Sequence, residues 1–276
     1  MSIIIFIIVL GILIFVHEFG HFLAAKKTGM YVEEFAVGFK PAIWQKIKGE
    51  TKYILGLIPV GGYVKIFGED PEEFEKEENK EKKKRAFGAQ NRFHQALVIS
   101  MGVIFNIIFA WVLFSAALMI GAPTMKSNID QKNTEIITVQ LPFHKAVIKS
   151  IETTGTYLNL TTVGLIDFIS NVVQGKADMD QVSGPIGIVK YVGQAAQNGF
   201  AAILIFTGII SINLAVINFL PFPALDGGRL VFIIIEAIIR RPIKTVIFNT
   251  VNFIGFGLLI LLMIFVTYHD IVKIFF

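Results

Sequence analysis

Four stretches of this chain are long and apolar enough to cross a lipid bilayer, which takes about 20 predominantly apolar residues. They run from about Ser2 to Ala25, Ala96 to Ile120, Phe200 to Phe222 and Val246 to Tyr268. The first has no basic leader and runs into HEFGH rather than a small-residue cleavage site, so it is expected to be a retained span. Hydrophobic residues make up 54% and charged residues 17%, a balance that excludes an ordinary soluble globule. The expected fold class is an α-helical multi-pass membrane protein. It would have four transmembrane helices, a small membrane-associated β-hairpin and an outer amphipathic helix, all in one domain over 1–276.

Lys and Arg set the expected orientation. Fourteen lie between spans one and two, and Arg229, Arg240, Arg241 and Lys244 lie in the short link between spans three and four. Residues 121–199 hold six, balanced by six acids. Both links are therefore predicted to be cytoplasmic, and both termini and 121–199 to be outside. The net charge of +4 reads as a topology signal, so no nucleic-acid partner is expected.

Between the spans, residues 50–68 read as two short strands around Pro59, Gly61 and Gly62, either dipping into the membrane or lying at its surface. Residues 69–85 are nearly all charged and read as a solvated loop. Residues 122–140 show no strong pattern. Residues 141–175 carry Val147, Ile151, Leu158, Leu165 and Phe168 at helical spacing, which predicts one or two amphipathic helices on the outer surface. SGPIGIV at 183–189 reads as a turn-rich approach to the third span.

The chemistry is concentrated in HEFGH at 17–21, an HExxH motif. On a helix His17 and His21 share a face and can reach one metal ion, while Glu18 is offset toward a water molecule as general base. There are no cysteines, so any further ligand must be His, Asp or Glu. A catalytic zinc has three protein ligands and one open position. Asp226, in LDGGRL after Pro221 and Pro223, is the preferred third ligand over Glu236; its other reading is a helix cap. His94, His144 and His269 are not assigned to the metal. Asn106, Asn213 and Asn218 lie within spans, where they either bond neighbouring helices or contact the substrate backbone or oxyanion.

HEFGH, the stretch from Gly29 to Pro41, the IPVGGYVK loop and NFLPFPALDGG resemble the site-2 protease family, and within it the bacterial regulator-of-sigma-E branch. The resemblance implies an intramembrane zinc metalloprotease with one zinc ion, held by His17, His21 and Asp226, and Glu18 as catalytic base. Its partners would be the bilayer and single-span membrane substrates, such as anti-sigma-factor-like regulators or remnant signal peptides, in a bacterial inner membrane. It also implies substrate contacts from Asn213, Asn218, Pro221 and Pro223. The membrane-associated hairpin, with Gly61, Gly62 and Tyr63, would pair with extended substrate.

Two departures stand out. The branch carries PDZ domains between spans two and three, where this chain has only 122–141, too short for a domain of about 80–100 residues. GVIFN at 102–106 replaces a usual Gly-Pro, which predicts a straighter second span. A proteolytically silent relative is the alternative reading, and the intact Glu18 argues against it. A transporter would want repeated halves, which the sequence lacks.

Overall fold

The computed structural model describes residues 1–69, 74–75, 77–127, 134–176 and 183–275. Its elements in order are α1 (Ser2–Lys27), β1 (Val32–Lys48), β2 (Thr51–Ile66), α2 (Lys80–Lys84), α3 (Arg92–Ile120), β3 (Ala122–Ser127), β4 (Thr134–Val139), α4 (Phe143–Val173), α5 (Pro185–Gln197), α6 (Phe200–Phe219), α7 (Asp226–Ile239) and α8 (Thr245–Phe275). Four of these helices, α1, α3, α6 and α8, are long and apolar enough to span a membrane. The chain divides into two compact units.

One unit comprises residues 7–106 and 217–262. Its core joins Ala24 and Ala25 of α1, Val32 and Ile66 of the hairpin, Val98 and Ile99 of α3, and Ile233 of α7. Gly20 sits against the backbone of α3, where an added Cβ would come within 2.8 Å of the Met101 carbonyl carbon. Without a strong solvent-driven term between membrane helices, such close backbone approach by small residues is what holds them together.

The hairpin is much longer than the two short strands expected over 50–68. It turns at Gly49–Glu50, and Pro59 to Gly62 lie inside β2 rather than at the turn. The antiparallel pairing runs from Val32 opposite Ile66 to Lys48 opposite Thr51. A second register sets Glu34, Phe35, Ala36 and Val37 opposite Lys52, Tyr53, Ile54 and Leu55 in the same sense. The hairpin is therefore folded back on itself, with 32–37 paired on both sides. Glycine allows the fold. Gly38, at φ +82, lies where a Cβ would come 2.8 Å from the Ile58 carbonyl oxygen, and a Cβ on Gly56 would overlap the Phe39 carbonyl. Most of the distal part, including Phe39, Ile43, Trp44 and Ile47, is exposed.

The turn is tied down by charge. Glu50 accepts hydrogen bonds from Arg85 at 2.6 and 2.8 Å and from Lys26 at 2.6 Å. Arg85 also donates to the carbonyls of Gly29 and Met30. The Arg85 guanidinium, against the cost of partial burial, holds the Glu50 carboxyl down at about 2, with Lys26 assisting. An unfolded Glu titrates near ~4.3. A carboxyl depressed on folding stabilises above its ordinary pKa, and that contribution is lost as pH falls through the folded value. Glu50→Gln should thus lower the thermal midpoint at pH 7, and its difference from the parent should vanish near pH 2. A midpoint difference that persists unchanged at pH 2 would refute the ion-pair account.

The other unit comprises residues 1–6, 107–216 and 263–276. Ala122–Ser127 and Thr134–Val139 pair as a second antiparallel ladder, β3 with β4, which no period-2 pattern had announced. Residues 141–175 form one helix, α4. Its fully buried positions are Ala146, Ser150 and Thr154; Val147, Leu158, Leu165 and Phe168 of the expected stripe are half-buried beside them, with Leu158 packed on the Ala110, Phe114 and Ile212 cluster, and only Ile151 is exposed. Ser150 bonds Ser115 of α3 at 2.6 Å, and Trp111 donates to the Val147 carbonyl. SGPIGIV opens a helix, α5, with Pro185 in its first turn, where the missing N–H costs nothing. Asp270 of α8 is buried and accepts the Gly184 and Gly187 amides at 3.1 and 2.8 Å, capping α5 from a remote helix.

The third span stops at Phe219 instead of reaching Phe222, and the link after it holds α7 rather than loop alone. The second span runs unbroken as α3. Most of 69–76 lies outside the described residues.

Candidate metal centre

His17 and His21 sit one turn apart on α1, 9% and 8% exposed, with their Nε2 atoms 3.2 Å apart. Asp226 opens α7, where a carboxylate suits the positive end of the helix dipole. Its Oδ2 lies 3.1 Å from His17 Nε2 and 3.3 Å from His21 Nε2. The three atoms form a nearly equilateral triangle. Zinc takes N and O ligands at about 2.0–2.1 Å in a tetrahedron, whose edges are then about 3.3 Å. The triangle has the size of one face of that tetrahedron. Asp226 Oδ2 is also buried without a well-aligned hydrogen bond, although two imidazoles face it. The residues therefore fit a metal ion better than an internal polar cluster. Among the described residues this is the one such His/Asp/Glu group.

Glycines make the close approach of Asp226 possible. A Cβ on Gly227 would overlap the carbonyls of Phe219 and Leu220, and one on Gly228 would overlap that of Phe222. The end of α6 and the start of α7 can then lie against each other across the Pro221–Leu225 bend. Glu236, the alternative ligand, is committed elsewhere: it pairs with Arg92 at 2.7 Å and accepts the Ile243 amide.

Helix α3 supplies the outer partners from one stripe, Val98, Gly102 and Asn106. The Val98 carbonyl accepts from His21 Nδ1 at 2.8 Å, which leaves Nε2 as the metal-facing nitrogen. The fully buried Asn106 amide lies 3.1 Å from His17 Nδ1. With His17 Nε2 turned to a metal, Nδ1 keeps the proton and the amide oxygen is the end that receives it; a half-turn exchanges the two ends of an amide. Between them, Gly102 leaves room for both rings. A Cβ there would overlap His21 Nε2 and come within 2.8 Å of His17 Cε1.

A cavity of about 170 Å³ opens on the triangle and is lined by Glu18, Gly62, Tyr63, Glu69 and Arg229. Glu18 shares α1 with the histidines but points to the hairpin, where a Cβ on Gly62 would come 3.1 Å from its Cγ. Tyr63 donates to Glu34 at 2.6 Å. Burial, then that carboxylate, push its hydroxyl up to about 12. Glu69 and Arg229 pair at 2.9 Å.

The other expected site residues fall as follows. Asn213 accepts a hydrogen bond from Thr161 of α4 at 2.8 Å and does not line the cavity. Asn218 is half-buried, Pro221 is exposed, and Pro223 packs on Gly255 of α8. Gly61, at φ +116, lies against the Phe39 ring. His94, His144 and His269 are outside the triangle. Sequence reading missed the Val98 carbonyl, which no side chain announces, and Gly102, whose signal was its place four residues before Asn106.

A family model described as peptidase family M50 matches residues 5–262. The chain is 31% identical, over 99% of both chains, to a Clostridium perfringens protein assigned as a zinc metalloprotease. It is 27% identical to the regulator of sigma-W protease of Bacillus subtilis, with 99% of each chain covered, and 26% identical to a zinc metalloprotease of Geobacillus kaustophilus, with 99% and 98% covered. These alignments run over 339 to 417 positions, against 276 residues here, so the relatives contain stretches without a counterpart in this chain.

Proposed function

Since the chain belongs to peptidase family M50, we propose that it is a zinc-dependent endopeptidase that cuts peptide bonds within the transmembrane segments of single-span membrane proteins. The observation that carries this reading is the triangle of His17, His21 and Asp226 beside a carboxylate, Glu18, that takes no part in it. The names of the relatives supply zinc as the ion.

His17, His21 and Asp226 would hold that ion. The chemistry a bound zinc supplies is Lewis acidity, which lowers the pKa of a water molecule and polarises a carbonyl. Glu18 lines the cavity and would take the proton, then deliver it to the leaving amine. Asn106 would orient His17, which is the role its buried contact favours over an oxyanion role.

A membrane helix hides its carbonyls in its own hydrogen bonds, so a substrate must unwind to be cut. Segment 62–66 pairs with 32–37, and its Gly62, Tyr63 and Val64 line the cavity. That segment would take an unwound substrate as an added strand. Asn218, Pro221 and Pro223 would guide it nearby, and Asn213 is the other residue proposed for substrate handling. The substrates would be membrane-anchored regulators of the anti-sigma type or remnant signal peptides, in a bacterial inner membrane with both termini outside. The Bacillus relative's name supports the first class. The longer alignments of the relatives are compatible with an outer domain of the PDZ kind in them at the place of 122–141 here.

The test is cleavage of a single-span substrate by the detergent-purified chain. Chelation should abolish cleavage and added zinc restore it, and Asp226→Ala should lose most of its zinc. Cleavage indifferent to chelation, or full zinc retention in Asp226→Ala, would sink the reading.

A further inference from the structure

The metal-bearing bend between α6 and α7 contains a backbone oddity. Ala224 has φ +69, a left-handed conformation that a non-glycine residue adopts only when its surroundings impose it. What imposes it lies on α8. The Ala224 amide donates to Asn252 Oδ1 at 3.0 Å. Pro223 covers Gly255 so closely that a Cβ there would overlap the proline Cβ and come 2.9 Å from its carbonyl oxygen. Phe248 stacks edge-on against Phe232 of α7, ring centres 5.0 Å apart.

Phe248, Asn252 and Gly255 are spaced i, i+4, i+7, so they form one stripe of α8. Only 6% of that helix's most apolar window is buried, and Gly257 meets nothing within 4 Å. The few close contacts α8 makes within this unit are thus directed at the bend and at α7. Asp226 is two residues beyond Ala224, and both line a cavity of about 440 Å³ together with Asn252.

We propose that Asn252 and Gly255 are positioning residues for the third metal ligand: α8 locks the left-handed turn at Ala224, and that turn sets where Asp226 stands. The proposal rests on the metal reading above. Its physical content is a population argument. If the bend leaves the left-handed turn, Asp226 leaves the triangle, and apparent zinc affinity falls by the fraction of chains that remain competent.

The test measures zinc affinity of the full chain in detergent by competition with a chelating dye, with thermal midpoints recorded for the metal-free forms. Asn252→Ala should weaken zinc binding about ten- to a hundredfold, the usual span for outer-shell partners. Ala224→Gly in the Asn252→Ala background should recover about tenfold, because glycine adopts the left-handed region freely. Ala224→Val, which leaves α8 untouched, should weaken binding about tenfold, since a branched side chain resists positive φ. Loss of a merely structural contact would lower the midpoint without rescue by Ala224→Gly.

Parental zinc affinity in both Asn252→Ala and Ala224→Val, or no recovery on adding Ala224→Gly, would overturn the proposal. If Asn252→Ala fails to fold, the single Ala224 variants decide it: Ala224→Val should weaken zinc binding about tenfold and Ala224→Gly should bind zinc at least as tightly as the parent, and equal weakening in both would overturn the proposal. Asp226→Ala, run alongside, separates the two readings. Zinc retained there condemns the metal assignment; zinc lost there but kept in the Ala224 and Asn252 variants condemns only the brace.

Discussion

Glu18→Gln should stop cleavage while zinc stays bound. The amide keeps the shape of the carboxylate and its place against Gly62, but it can neither accept nor return a proton. General acid–base catalysis by one positioned group is worth about 10²–10⁴-fold, so turnover should fall by at least that much. Zinc content should match the parent, because the triangle consists of His17, His21 and Asp226 and excludes Glu18. The measurement pairs single-turnover cleavage with metal analysis on the same sample. Cleavage within tenfold of the parent would remove Glu18 from the chemistry. Loss of zinc along with activity would mean that Glu18 belongs to the donor set.

The second large effect is expected from a change that helix propensity favours. Gly102→Ala lies in the interior of α3, where alanine is better than glycine by about 0.8–1.0 kcal/mol. It should nonetheless abolish tight zinc binding. The new Cβ would occupy the space of the His21 ring and crowd His17 Cε1 at 2.8 Å, with the α3 backbone unable to retreat while Gly20 rests on Met101. The donors need to stay within about 0.5 Å of their productive positions to act together. The expected signature is a helical, soluble-in-detergent protein with zinc binding weakened by more than a hundredfold and cleavage lost. A Gly102→Ala chain with parental zinc affinity would show that α3 does not confine the two rings.

The sequence disclosed the spans and the HExxH turn because both depend on local periodicity: an apolar run of bilayer length, and two imidazoles on one helical face. Asp226 was reachable because few carboxylates lie near membrane depth and its Pro and Gly neighbours mark a bend. Other features were hidden for physical reasons. The folded hairpin depends on a parallel register between 34–37 and 52–55 that no local pattern encodes, so Pro59 to Gly62 read as the turn when they lie within a strand. The stripe on α4 was legible at Val147, Leu158, Leu165 and Phe168, which are half-buried, but its fully buried residues, Ala146, Ser150 and Thr154, are small or polar and gave no apolar signal, while Ile151 gave one and is exposed. For Asn213 the sequence left two readings open, a bond to a neighbouring helix and a substrate contact, and it could not supply the partner, Thr161 of α4, that the structure places against it.

The donor set also imposes an order on how the enzyme comes into being. His17 and His21 leave the ribosome almost at once, whereas Asp226 follows roughly 200 residues later. A nascent chain that already has its first two spans in the bilayer owns two ligands and the proton acceptor, yet lacks the third corner of the triangle. On the proposed ligand set it would be unable to cut the membrane proteins being inserted around it. Proteolytic competence would then arrive in a single late event, when the bend after α6 delivers its carboxylate to a pair of imidazoles made at the start of translation.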